Sequence, residues 1–339
     1  MHEFAIIDHY FKNLFNNLFN NNETKIGIGD DCAVVNIQDY SELLITTDTM
    51  VEGTHFLASA PPHSLGHKAL AVSLSDIAAM GGTPKWVLLN ISIPKYNQQW
   101  FSEFSDGFAA LAKRYQINLI GGDTTRVINK GPISITTTVL GIKSKQDSRI
   151  LSRSNAQLGD GIFITGSLGE PNYILEQLKL GKKVKEHNKL YYPEPRVSVG
   201  QFIADYANAA IDLSDGLIAD LGHILKQSSA TAVINLDWLP IENIANIRDQ
   251  ENFRNILSGG DEYELIFTAP IEYKDIIKNN NIDINITQIG QIISDNNLNI
   301  NININNNNII KVNNIYLQGL EFFKNIKNIQ EWGHGWEHF

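Results

Sequence analysis

Short apolar runs of strand length alternate with amphipathic helical stretches along this 339-residue chain, and run after run ends on aspartate beside glycine, serine or threonine. Leu43 to Thr47 leads into Asp48, Ile117 to Ile120 into Gly121-Gly122-Asp123, and Ala210 to Leu213 into Ser214-Asp215-Gly216. Asp30 and Asp31 follow Gly27-Ile28-Gly29, and Asp76 lies among small residues in a helical stretch. A lone Asp next to Gly is ordinarily a turn former. Repetition of the pattern at strand ends is a different matter, because that is where mixed α/β architectures gather their sites.

The element pattern predicts an α+β fold of mixed α/β type. An amphipathic helix opens the chain (Phe4, Ile7, Phe11, Leu14, Phe15 and Leu18 on one face). Cys32 to Ile37 and Leu43 to Thr47 read as strands, and Leu65 to Met80 as a helix closed by Gly81-Gly82 and Pro84. Trp86 to Ile93 reads as a strand, Trp100 to Tyr115 as a helix, Ile117 to Ile120 as a strand, and Ile133 to Ile142 as an alternating strand. Helices and strands follow one another without strict βαβ order, which argues against a Rossmann sheet. Polar, aperiodic Lys143 to Asp160 marks a domain boundary, giving domains 1–145 and 146–339.

The second half repeats the mixture. Gly161 to Thr165, Ala210 to Leu213 and Tyr263 to Thr268 read as strands. Pro171 to Leu180, Pro195 to Asn208 and the stripe Leu217, Ile218, Leu221, Ile224, Leu225 read as helices. Asn279 to Asn314 is rich in Asn and Ile; the period-two alternation of Asn299 to Asn305 predicts an edge strand, followed by an Asn-rich turn at Asn305 to Asn308.

Composition excludes several classes of function. With 27 basic and 37 acidic residues the net charge is −10, against a nucleic-acid binder. No run approaches the ~18 uninterrupted apolar residues of a membrane span. The single cysteine, Cys32, makes neither an internal disulfide nor a thiolate zinc site. The first residues carry Glu3 and Asp8 and lack a basic targeting region, so a cytoplasmic chain is expected.

Clustered carboxylates repel unless they are protonated, separated or neutralised by cations. Mg²⁺ suits them: it takes hard oxygen ligands and completes its shell with water and substrate phosphates. The hydroxyls of Thr46, Thr47 and Ser214 suit the same shell. There is no GxxxxGK[ST] loop and no protein-kinase signature, so any ATP site would hold phosphate through metals with arginine support, for which Arg126, Arg149 and Arg153 are candidates.

Several segments together carry a resemblance. They are GIGDDCAVV (27–35), TTDTMVEGTHF (46–56), AVSLSDIAAMGGTPKW (71–86), IGGDTTR (120–126), RSNAQLGD (153–160), IDLSDGLIADLGHI (211–224), SGGDEYEL (258–265) and GWEHF (335–339). In them the chain resembles the thiamine-monophosphate kinases, in the superfamily that includes aminoimidazole ribonucleotide synthetase and selenophosphate synthetase. The resemblance spans nearly the whole chain. It implies an N-terminal domain whose sheet pairs with its twin in a homodimer barrel, a C-terminal α/β domain, and ATP in the cleft between them.

It also implies transfer of the γ-phosphoryl of ATP to thiamine monophosphate. Residue by residue, the implied Mg²⁺ ligands are Asp30, Thr46, Thr47, Asp48, Asp76, Asp123, Asp212 and Asp215, with Asp48, Asp123 and Asp215 central to catalysis. Gly122, Asp123, Arg153 and Ser214 are the implied ATP contacts, and His55, Asp261 and Trp336 the implied substrate contacts. One departure concerns the family pattern Gly-Gly-Glu-Asp-Tyr-Glu-Leu. Here it reads Gly259-Gly260-Asp261-Glu262-Tyr263-Glu264-Leu265, with the two acids exchanged, and either can take the substrate role.

An aromatic such as Trp336 over the cationic thiazolium gains about 0.5–2 kcal/mol. The acceptor is itself a phosphate and needs no general base, so direct in-line transfer is expected. The rival readings are other superfamily enzymes and a non-catalytic nucleotide or thiamine-phosphate binder. Selenophosphate synthetase would carry a reactive Cys in a mobile glycine-rich segment, whereas Cys32 sits inside GDDCAVV. The carbamoyl-dehydrating maturation enzyme would need a C-terminal cysteine, where this sequence has Phe339.

Overall fold

The computed structural model describes residues 6, 8–12, 24–26, 34–35, 37, 41–144, 149–241, 256–279, 282–294, 310–312 and 314–319. The described residues fall into two compact units: one from Met1–Ile77, Gly82–Ser148 and Tyr191–Val197, the other from Ala78–Gly81, Arg149–Leu190 and Ser198–Phe339. Both mix helices with sheet, and none of the described helices is long and apolar enough to cross a membrane. Asp30, Trp336, most of the expected first helix and the alternating stretch Asn299 to Asn308 lie outside the described residues.

The first unit is built on a four-stranded sheet of β3 (Ser41–Val51), β4 (Thr83–Ile93), β5 (Asn118–Arg126) and β6 (Ser134–Ser144), in the order β3-β6-β4-β5. The pairs β3–β6 and β6–β4 are antiparallel and β4–β5 is parallel. A separate two-stranded ribbon joins β1 (Thr24–Ile26) to β2 (Val34–Val35). Period-two alternation sorts the faces: Ile135, Thr137 and Val139 of β6 are buried, while Thr136, Thr138 and Leu140 are half-buried.

Helix α1 (Pro62–Ala79) covers the buried face, where Thr137 Oγ1 donates to the Ala69 carbonyl at 2.8 Å. Helix α2 (Gln98–Tyr115) begins two residues earlier than its apolar stripe suggests, because Asn97 caps it by accepting from the Trp100 amide. Its buried face holds Phe101, Phe104, Phe108 and Leu111 at helical spacing, each contributing about 1.5–3 kcal/mol of burial. Strand β5 does not stop at the glycines as the sequence suggests. It runs through Gly121-Gly122-Asp123 to Arg126, with a shift in register opposite Val87 and Leu88.

The second unit is built on a seven-stranded sheet. Its strands are β7 (Gly161–Thr165), β8 (Ala209–Asp212), β9 (Thr231–Asn235), β10 (Leu265–Ala269), β11 (Ile286–Ile293), β12 (Ile310–Val312) and β13 (Ile315–Gln318). The order is β12-β13-β9-β11-β7-β10-β8, and only the β13–β9 pair is parallel. Helices α3 (Glu170–Lys179), α4 (Val197–Ile203), α5 (Leu217–Ser228) and α6 (Lys274–Lys278) complete it.

The stripe of α5 packs into a buried cluster with Ile162, Ile164, Ile211 and Ile266 of the central strands. The helix expected to reach Asn208 ends at Ile203, where the amides of Asp205 and Tyr206 bond three residues back and tighten the chain into turns. Strand β10 starts two residues later than expected because Tyr263 is left-handed, with φ of 51°.

Candidate active site

In the first unit the structure brings together Thr46, Asp48 and Asp76. Alternation along β3 turns Thr46 and Asp48 to the face that carries buried Leu44 and Met50, which is the face α1 covers. Thr46 Oγ1 donates to Asp76 Oδ2 in a short contact. Ser73 Oγ donates to Asp48 Oδ2 at 2.7 Å, so α1 holds the carboxyl, and Thr137 Oγ1 of β6 lies 2.8 Å from the same hydroxyl. Burial pushes the Asp48 carboxyl above the ordinary carboxylate range, opposed by hydrogen bonds from Ser73 and Asp76 and by the charge of His55. Nδ1 of His55 accepts the Val51 amide at 2.9 Å, which places the proton of the neutral ring on Nε2.

Ser73 carries no charge and lies in a run of small residues, so sequence reasoning passes over it; its signal is complete burial beside an acid. Two implied ligands stand apart from this group. Thr47 is on the opposite, exposed face of β3 and bonds to Thr137 O at 3.1 Å. Asp123 is exposed on the far edge strand. The register row Asp48–Thr137–Leu89–Gly122 crosses all four strands, so about 14 Å of sheet separates β3 from β5. A Cβ at Gly122 would collide with the Leu89 carbonyl, and its φ is +146°.

In the second unit Asp212 is buried at the end of β8, and Ser214, Asp215 and Gly216 turn the chain into α5. Oδ2 of Asp220, one turn into that helix, accepts the amides of Asp215 and Gly216 at 3.0 Å each. Burial and then the charge of Asp215 push Asp220 up to about 7, partly offset by those amides and by Arg153. Ligand atoms of Asp215, Asp220 and His223 lie within 4.8 Å of one another. Arg153 is exposed, and its carbonyl accepts from Ser228 Oγ at 2.8 Å. A lone Asp on an amphipathic helix reads as solvated, so Asp220 also escapes sequence analysis.

The loop that precedes β10 docks on this same turn. The Asp261 amide donates to Ser214 O at 2.9 Å and the Tyr263 amide to Leu213 O at 2.8 Å. Tyr263 Oη donates to Asp261 Oδ1 at 3.1 Å. A Cβ at Gly260 would strike the Ser214 carbonyl, so only glycine allows the approach. Of the exchanged acids, Asp261 is half-buried, whereas Glu262 is 3% exposed and accepts the Gly169 amide at 2.7 Å. Thr165 Oγ1 donates to Glu264 Oε2 at 2.6 Å, and Lys189 Nζ lies 3.6 Å from its Oε1.

Burial first, and then the acids Glu264 and Asp261, push Glu262 from an ordinary 4.5 up to about 8, against the Gly169 amide and Lys189. Its folded value is raised, so its stabilisation is complete below pH 4.5 and is lost as pH rises through about 8. Glu262→Gln keeps the acceptor for Gly169 and cannot ionise. The fall in melting temperature between pH 5 and 8 is expected to be shallower in this variant; a fall as steep as the wild type's would show that Glu262 does not titrate in that window.

Residues 29–143 match the family described as AIR synthase related protein, N-terminal domain. The chain is 42% identical over 302 residues to the thiamine-monophosphate kinase of Haemophilus influenzae, covering 86% of this chain and 89% of that protein. The crystal structure of thiamine-monophosphate kinase from Stenotrophomonas maltophilia superposes with a TM-score of 0.77 at 36% identity, over 87% of this chain and 95% of that one. AaThiL complexed with AMPPCP and TMP superposes with a TM-score of 0.71 at 28% identity, over 99% of this chain and 97% of that one. Likeness at this level over most of both chains means that the chain belongs to the thiamine-monophosphate kinase family.

Proposed function

We propose that this protein transfers the γ-phosphoryl of ATP to thiamine monophosphate, giving thiamine diphosphate and ADP, in the cytoplasm. Membership of the family over most of the chain carries the reading, and the likeness to AaThiL complexed with AMPPCP and TMP supports both substrates. The donor chemistry fits Mg²⁺. Asp48 and Asp76 are neighbouring acids held by Ser73 and Thr46, and a divalent cation would neutralise the pair. Thr46, Asp48 and Asp76 would hold the ion in the first unit, with Asp30 and Asp123 as further implied ligands, and Asp212 and Asp215 in the second; the Thr47 hydroxyl, on the opposite face of β3, stands outside that set. When bound, Mg²⁺ neutralises charge on the phosphates.

The chain's own residues supply position. Ser73 fixes the Asp48 carboxyl against α1, and Asp220 fixes the turn that carries Ser214 and Asp215. Gly122, Asp123, Arg153 and Ser214 are assigned to ATP, with the Arg153 guanidinium countering phosphate charge. Asp261 and Trp336 are assigned to the thiamine moiety and His55 to the substrate, to which its Nε2–H would be a donor. The acceptor phosphate attacks directly, and no side chain has to deprotonate it. Residues 1–145 would serve ATP, metal and dimerisation, and 146–339 would form the second α/β domain. Thiamine diphosphate formed from ATP, Mg²⁺ and the monophosphate, and absent with EDTA or with free thiamine as acceptor, is the expected chromatographic result; consumption of ATP without that product would contradict it.

A homodimer belongs to the same reading. The face of the first sheet turned away from α1 carries Leu43 and Ile45, 36% and 64% exposed, beside Thr47, Thr49, Thr136 and Thr138. Apolar side chains on an open sheet face favour a second sheet against them. Ile45→Asp is expected to convert the dimer to monomer in sedimentation at micromolar concentration. An unchanged sedimentation coefficient would place the interface elsewhere.

A further inference from the structure

We infer that Glu262 is a positioning residue for Asp261, and that its tie to the Gly169 amide sets the placement of the acid that faces thiamine monophosphate. The inference rests on the kinase reading and on the assignment of Asp261 to substrate. Two non-glycine residues, Asp261 and Tyr263, hold left-handed φ of 66° and 51° on either side of Glu262. Such conformations cost of order 1 kcal/mol each and persist only where the surroundings fix them.

Two ties run to one side of the loop, from the amides of Asp261 and Tyr263 to the carbonyls of Ser214 and Leu213. Both reach the Leu213–Ser214 segment, so they hold the loop from one side. Glu262 works from the other side: its buried Oε1 reaches the Gly169 amide, at the start of α3, at 2.7 Å. A second bond on that side runs from Asn172 Nδ2 to the Gly260 carbonyl, at 3.2 Å. Gly169 offers no side-chain cap of its own, so the carboxyl also satisfies an amide at that helix start.

Side-chain length then gives the two acids different jobs. The inner position needs the extra methylene to reach Gly169, and the outer one is the half-buried acid held by Tyr263 Oη. An aspartate at 262 would fall short of the amide. Glutamine there would still reach it, because the bond asks only for an acceptor.

The test measures kcat and the KM of each substrate in Glu262→Gln, Glu262→Asp and Glu262→Ala, and in Asp261→Asn with and without Glu262→Ala. Gln is expected to keep the KM for thiamine monophosphate within about threefold, while Asp and Ala raise it about tenfold or more. The KM for ATP, and kcat per folded enzyme, are expected to stay within about threefold. Glu262→Ala added to Asp261→Asn is expected to raise KM little further, since the acid it positions is already gone.

A wild-type KM in the Asp and Ala variants would overturn the inference. So would a KM in Gln as high as in Ala, equal rises for both substrates, or fully multiplicative effects in the double variant. If Ala does not fold, the Gln and Asp pair decides alone. A wild-type enzyme that makes no thiamine diphosphate would remove the kinase reading and this inference together, whereas an active wild type with unaffected variants removes only the inference.

Discussion

Asp48→Asn is expected to lower kcat by about two to three orders of magnitude, the scale of losing one preorganised charge partner at a reacting phosphate. The melting temperature is expected to stay level or rise. The two halves of the prediction have one cause. Burial raises the Asp48 carboxyl above its ordinary range, so the unliganded fold is most stable when the group is neutral, and an amide of the same shape satisfies the Ser73 hydroxyl. The proposed role in catalysis asks for the opposite, a full negative charge to hold a cation against phosphate oxygens. Kinetics at saturating Mg²⁺ and a thermal melt on the same sample test both. Near-normal turnover would remove Asp48 from the metal set, and a large loss of melting temperature would make its role structural.

Gly122→Ala is expected to cost about 3 kcal/mol or more of stability, and most of the activity with it. At φ of +146° an L-residue is strained whatever the space, and here the Cβ meets the Leu89 carbonyl on the paired strand. Backbone cannot rotate away as a side chain does. Either β4 and β5 part, or the chain turns at residue 122 and carries Asp123 out of register. Gly121→Ala is the internal control: its Cβ would meet only the end of the Leu88 side chain, at 3.0 Å, and Leu88 is half-buried with room to move. The control is expected to melt close to the wild type while Gly122→Ala melts far below it. Equal melting temperatures would show that the glycine conformation is dispensable.

Legibility from sequence follows the range of the interaction. The stripes of α2 and α5 and the run Gly161 to Thr165 announce themselves because helix and strand periods are local, and the structure places these elements within about three residues of expectation. Strand order is not local: β7 lies between β10 and β11, more than a hundred residues away, and no periodicity reports that. The span Ile286–Ile293 is a strand because it pairs with β7 and β9, although its neighbourhood reads mainly as biased composition.

The same division holds in the candidate site. The acids are visible as letters beside glycine, serine and threonine, although Asp48 and Asp123 lie within their strands and not at the ends; the groups that hold them are not visible. Ser73 acts across a helix–sheet seam, and Asp220 bonds backwards to amides that look identical to any others in sequence. Asp261 and Glu262 are interchangeable as letters; burial and a single bond to Gly169 separate them.

Direct transfer between the two substrates is the central claim, and a single turnover with ATP labelled in its γ-phosphate tests it most directly. Enzyme in excess over labelled ATP, with Mg²⁺ and thiamine monophosphate, would be quenched in acid over a time series. Label is expected to pass from ATP to thiamine diphosphate in equal amounts at every time, with none on protein and none as inorganic phosphate. Label that reaches protein first, or that is released to water while thiamine monophosphate stays unchanged, would contradict the account.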